Sequence, residues 1–187
     1  VGNNCTGSVS GAITVDNKIS TAITADLVGV TLCDGAPLSL GVTAVGENLS
    51  YQWKLGTNVG TDQPSYNVTT TDKTLDAGDY TVEVTGDCGT ETSAIAVVEI
   101  NETTASIPGF ISEVATSCEN GVGVFEIDPV AGTNVQYTWS VVPALAATST
   151  TTSQSITFGS ASSYTVTVTA TGDCGPVQTK NSVVTIT

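Results

Sequence analysis

Tyr80-Thr81-Val82-Glu83-Val84-Thr85-Gly86-Asp87-Cys88-Gly89 decides how the rest of the chain reads. It returns as Tyr164-Thr165-Val166-Thr167-Val168-Thr169, followed by Gly172-Asp173-Cys174-Gly175. In both stretches apolar and polar residues alternate with period two, the pattern of a half-buried antiparallel strand. A turn of Gly and Asp closes each one. Further out, Tyr51-Gln52-Trp53 returns as Tyr137-Thr138-Trp139, and Cys33 returns as Cys118. All these offsets lie between 84 and 86 residues. So long a period marks two instances of one small domain, not a solenoid repeat.

Composition narrows the function classes. The 187 residues hold 18 acids against four lysines (Lys18, Lys54, Lys73 and Lys180), with no His, for a formal charge of −14. Phosphate recognition needs clustered Lys or Arg, so nucleic acid and anionic membrane surfaces are poor partners. Histidine catalysis and histidine metal sites are impossible. No apolar run approaches the roughly 20 residues of a membrane helix, so no membrane insertion is expected. No basic and apolar leader opens the chain, as expected of an exported protein after processing. Five cysteines without His or Cys-x-x-Cys spacing read as disulfide partners in an oxidising compartment, hence extracellular or on the cell surface. Sequons at Asn4, Asn48, Asn67 and Asn101 agree with export.

The expected fold class is all-β, two tandem immunoglobulin-like antiparallel sandwiches plus an extra N-terminal strand. Leu38, Leu40, Val42 and Ala44 alternate with small or polar residues, as do Leu49, Tyr51, Trp53 and Leu55. Gly, Asp, Asn and Pro punctuate these runs, and no 3.6-residue apolar stripe occurs. Trp53 and Trp139 read as core residues of strand C. Tyr80 and Tyr164 open strand F, and Asp76-Ala77-Gly78-Asp79-Tyr80 has the form of a tyrosine corner. Two residues after each Tyr stands Val82 or Val166, so apolar packing against Leu40 or Phe125 replaces an inter-sheet disulfide. The expected divisions are 1–19 for the extra strand, 20–102 and 103–187 for the domains, with a linker near Asn101–Pro108.

Cys33-Asp34-Gly35, Tyr51-Gln52-Trp53 and Tyr80 through Thr85 with Gly86-Asp87-Cys88 together resemble the immunoglobulin-like and PKD-like tandem repeats of Bacteroidota surface proteins, including adhesins and gliding-type filaments. In the second instance Cys118-Glu119-Asn120-Gly121 is one residue looser. The resemblance spans nearly the whole chain. It implies a structural role, as repeat or subunit of an extracellular filament or adhesin, with copies of itself or neighbouring repeats as partners. A non-catalytic module recognising carbohydrate or protein is the alternative.

Cys5 belongs to neither full instance. The residues after it align with those after Cys88 and Cys174, so 1–17 reads as an orphan strand G. It is a remnant of a longer array, an extended first strand, or a donor strand that pairs with a neighbouring subunit and polymerises it head to tail. Cys33 and Cys118 precede strand B, whereas Cys88 and Cys174 follow strand F, at the opposite end of such a sandwich. A strand spans roughly 20 Å, and a disulfide needs Cα atoms within about 7 Å. Cys33–Cys174 across the domain junction is one pairing; Cys33–Cys88 with Cys118–Cys174 inside the domains is the other. The odd count leaves at least one thiol free or intermolecular.

Asp72, Asp76 and Asp79 are weak calcium candidates, because three carboxylates in one turn offer oxygen ligands; a solvated turn is the plainer reading, and no other cofactor is expected. Thr148–Ser155 reads as a flexible loop or polar edge strand. Lys54 follows Trp53 and should face solvent. Six of the ten aromatics are assigned to core faces, which leaves little for a sugar platform. No nucleophile–base pair recurs, so the chain reads as non-catalytic.

Overall fold

The computed structural model describes residues 18–187, and every regular element among them is a strand. The expected extra N-terminal strand falls almost wholly outside the described residues. In the first sandwich, β1 (Ala22–Ala25) pairs with β4 (Thr43–Val45), and β3 (Leu38–Gly41) pairs with β7 (Ser65–Val68). The facing sheet runs β2 (Val30–Cys33), β10 (Ala96–Asn101), β8 (Gly78–Gly86), β5 (Ser50–Leu55), β6 (Thr57–Val59), with β9 (Gly89–Thr92) also on β8. The second sandwich repeats this order. One sheet is β11 (Phe110–Ser112), β13 (Val122–Ile127), β15 (Ser153–Thr157). The other is β12 (Thr116–Ser117), β17 (Gln178–Ile186), β16 (Ser163–Thr171), β14 (Gln136–Val142). In both, the strand before the first turn runs parallel to the last strand, β2 with β10 and β12 with β17.

The sequence alternation appears directly as burial. Tyr80, Val82 and Val84 are wholly buried from β8, and Tyr164, Val166, Val168 and Ala170 repeat them from β16. Leu40 and Phe125 meet them from the facing sheets in two separate cores. Each large side chain taken fully out of water contributes about 1.5–3 kcal/mol. The two core tryptophans bring one polar atom each and satisfy it alike. Trp53 Nε1 donates to the Gln63 carbonyl at 2.8 Å, and Trp139 Nε1 to the Thr151 carbonyl at 2.9 Å.

The tyrosine corner survives the loss of its acids by exchanging roles. Tyr80 Oη donates to the Asp76 carbonyl at 2.9 Å, and burial pushes its hydroxyl pKa well up. Tyr164 Oη instead accepts from the Ala161 amide at 3.3 Å. The last strand of the first sandwich breaks where Ser93 turns inward. Its Oγ accepts from the Val82 amide at 2.9 Å, so no buried donor is orphaned.

Two expectations need correction. The linker is far shorter than Asn101–Pro108: Asn101 still pairs with Cys33, Thr104 is already tied to Cys174, and Ile107 is buried in the second core. The Cys118 turn is not looser, because Asn120, at φ 61°, takes the left-handed position that Gly35 holds at φ 83°. The Thr148–Ser155 run takes the second of its two expected forms, a polar edge strand, since β15 lies at the edge of its sheet. Its end is strand β15, and the buried Gln154 side chain accepts from the Ser149 amide at 2.8 Å.

Candidate functional site at the domain junction

Two turns meet where the sandwiches abut. One is Cys33–Ala36 in the first sandwich, closed by the Ala36 amide on the Cys33 carbonyl at 3.0 Å. Positive φ at Gly35 is what a type II turn demands at its third residue. The other is the Gly172-Asp173-Cys174-Gly175 turn of the second sandwich. Cys33 and Cys174 are joined there, with Cα atoms 5.6 Å apart across a sequence separation of 141.

The within-domain pairings are excluded. Because β2 runs parallel to β10, Cys33 lies beside Asn101 where the chain leaves the first sandwich. Cys88 lies at the other end, in the hairpin between β8 and β9, where the Gly86–Gly89 pair closes the ladder. The first sandwich thus offers Cys33 to its successor, and the second offers Cys174 to its predecessor. Cys88 is half-buried and Cys118 exposed, both free. Cys5 is outside the described residues.

Around Cys174 the backbone forms a closed socket. Thr104 donates to the Cys174 carbonyl through both its amide and its hydroxyl, at 2.9 Å each. The Asp173 amide donates to the Thr133 carbonyl at 3.0 Å, and Asn134 Nδ2 donates to the Asp173 carboxylate at 2.7 Å. Asn134 holds a positive φ of 54°, which its short amide side chain tolerates. The linking residue Glu102 both donates to and accepts from Thr133, and its carboxylate lies 3.6 Å from Lys73. That exposed ion pair contributes little.

The outward end of the first sandwich has the same construction. The Thr21 amide donates to the Cys88 carbonyl at 3.5 Å, the Asp87 amide to the Glu47 carbonyl at 3.0 Å, and Asn48 Nδ2 to the Asp87 carboxylate at 3.0 Å. Lys18 also donates to Asp87, and with Asn48 it holds that carboxyl below the usual range. Among the described residues Thr21 Oγ1 is buried without a partner, where its counterpart Thr104 bonds Cys174. The signal for these anchors was present in sequence: Gly46-Glu47-Asn48 and Gly132-Thr133-Asn134 share the 86-residue offset.

The calcium candidates do not converge. The Asp72 carboxylate accepts from the Thr74 amide and hydroxyl, which lowers its pKa. Asp76 accepts from the Asp72 amide. Among the described residues no group of three acid or thiol side chains is placed to hold a metal. A groove of about 270 Å³ lined by Gly60, Thr61, Gln63, Ser65, Tyr66 and Asn67 carries no acid, base or nucleophile pair. All ten aromatics are buried or half-buried.

The second repeat, residues 104–184, matches the family described as PKD-like domain. No curated protein matches the chain. Among solved structures, "Rst D1-D2" aligns at 12% identity with TM-score 0.68, over 90% of this chain and 100% of that one. A three-domain titin fragment, I67–I69, aligns at 12% identity with TM-score 0.64, over 89% of this chain and 65% of that one. Sidekick-1 immunoglobulin domains 1–4 align at 14% identity with TM-score 0.64, over 94% of this chain and 51% of that one. This chain thus spans about two thirds or less of those multidomain fragments. The fold is that of tandem immunoglobulin-like sandwiches, with the PKD-like match confined to residues 104–184; such domains are typically non-catalytic structural or binding modules and, with a disulfide, typical of extracellular proteins.

Proposed function

We propose that this chain is a load-bearing structural segment of an extracellular bacterial surface filament or adhesin of the Bacteroidota type. Its units are residues 20–102 and 103–187, and its partners are copies of itself or neighbouring repeats. The observation that carries this reading is the Cys33–Cys174 bond. Tension applied at the two ends passes along β1 and β2 to Cys33, crosses the disulfide to Cys174, and leaves along β17. All of the buried core residues except Leu27 of the first sandwich and Val184 of the second lie between those cysteines and are bypassed. The two loaded strands, β2 and β17, are each held along their length by a parallel partner inside the bypassed segment, β10 and β12. A charge of −14 keeps such an array solvated.

Head-to-tail polymerisation by strand addition is the finer form of the reading. It rests on residues 1–19, and deletion of 1–17 abolishes rods if it holds. A sugar-binding module is disfavoured because no aromatic side chain is exposed.

Single-molecule pulling tests the load path. A separation of 141 residues hides roughly 480 Å of contour at about 3.4 Å per residue. Oxidised chain should release only the short terminal segments, and reduced chain should add that hidden length in two unfolding steps. Equal contour in both states would refute the bypass.

A further inference from the structure

Cys88 and Cys118 are free, yet each stands where the other repeat has a bonded cysteine. Cys118-Glu119-Asn120-Gly121 repeats the Cys33–Ala36 turn bond for bond. The Gly121 amide donates to the Cys118 carbonyl at 2.9 Å, as Ala36 does to Cys33. The Asn120 amide donates to the Phe158 carbonyl at 2.9 Å, as Gly35 does to Thr71. Around Cys88, residues Thr21, Gly46, Asn48 and Asp87 repeat the Cys174 socket of Thr104, Gly132, Asn134 and Asp173. One end of the molecule therefore carries an unused Cys33-type turn, and the other an unused Cys174-type socket.

We propose that Cys118 of one molecule and Cys88 of a second copy of this chain form an end-to-end disulfide equivalent to Cys33–Cys174. This rests on reading the chain as a segment of an array. The two thiols lie at opposite ends of the two-sandwich unit, so the bond forms between molecules. A heterologous contact of this kind propagates as a ladder and does not stop at a dimer.

The step requires an oxidant, here a low-molecular-weight disulfide. The Cys118 thiolate attacks it and expels one small thiolate. The Cys88 thiolate of the next molecule then attacks the mixed disulfide at the Cys118 sulfur and expels the second. Two protein thiols become one protein disulfide, and one small disulfide becomes two small thiols. At the internal junction the two-residue linker supplies an effective concentration on the order of millimolar. Between molecules that help is missing, so the yield should rise with protein concentration.

The test incubates the purified full chain with oxidised glutathione and reads a non-reducing gel and peptide map. The expected result is a ladder that collapses on reduction and contains a Cys88–Cys118 peptide. Cys88→Ser and Cys118→Ser each remain monomeric alone and give dimer only when mixed, whereas Cys5→Ser still ladders. Four results would overturn the proposal: laddering by either single variant alone, loss of the ladder in Cys5→Ser, a Cys5–Cys88 peptide, or persistent monomer although a maleimide labels both thiols in the native protein. The pulling experiment above does not involve Cys88 or Cys118, so it can succeed where this fails.

Discussion

Removing the junction disulfide should destabilise both sandwiches, by an amount the topology dictates. Consider Cys33→Ser with Cys174→Ser. If only the first sandwich unfolds, the bond closes a loop from Cys33 to Thr104, which the folded second sandwich holds beside Cys174. That loop has about 70 residues, and closing it costs the unfolded chain about 4 kcal/mol of entropy. If only the second unfolds, the loop from Thr104 to Cys174 has nearly the same length and effect. When both unfold, one loop spanning 141 residues is closed, worth about 5 kcal/mol. The single bond thus adds about 4 kcal/mol to either domain but not about 8 to the pair. At roughly 4–8 °C per kcal/mol for domains of this size, the first transition should fall by about 15–30 °C and the second, left with only about 1 kcal/mol of the bond's effect, by a few degrees. Calorimetry and denaturant titration of the double variant, against the parent under oxidising conditions, read this directly. A loss of about 4 kcal/mol in each of the two transitions would mean a separate bond inside each sandwich. A loss below about 1 kcal/mol in both would refute the loop reasoning.

Other perturbations probe single repeats. Trp53→Ala empties the centre of the first core and should cost about 3–5 kcal/mol, confined to the first sandwich's transition in denaturant titration. Gly172→Ala drives a methyl group into Thr104 and to 2.9 Å from the Thr133 carbonyl; it should cost about 1–3 kcal/mol by thermal melting. Gly109→Ala, which meets nothing, should stay within about 0.5 kcal/mol. Tyr80→Phe loses one buried hydrogen bond to Asp76, about 1 kcal/mol by the same assay. Asp87 is held below its ordinary pKa, first by Lys18 and then by Asn48. Its contribution is present above the ordinary carboxylate value and is lost as pH falls through the lowered one, so Asp87→Asn should flatten the acid limb of thermal melts below the ordinary carboxylate value.

The period-two runs carried most of the fold, because each buried side chain there is fixed by a strand's own geometry. Trp53, Tyr80, Trp139 and Tyr164 went to the core for that reason. The junction was half legible. Opposite ends for the two cysteine classes follow from strand length, but choosing Cys33–Cys174 needed the parallel β2–β10 pairing, a long-range contact with no local signature. Asn120 was misread because Asn does the work of Gly at positive φ, a backbone property that residue spacing hides. The Asn48–Asp87 and Asn134–Asp173 anchors were written as a second repeated motif, yet each is weak alone and gains meaning only when two turns meet. In the acidic turn the carboxylates of Asp72 and Asp76, weak cation candidates by sequence, accept from the turn's own backbone.

The most direct test of the account is a peptide map of the oxidised full chain, digested without reduction after free thiols are blocked. It should contain a peptide joining Cys33 to Cys174, with Cys88 and Cys118 carrying the blocking group in monomeric material. Peptides joining Cys33 to Cys88 and Cys118 to Cys174 would contradict it, since the tension bypass and the end-to-end junction both depend on the bond crossing between the sandwiches.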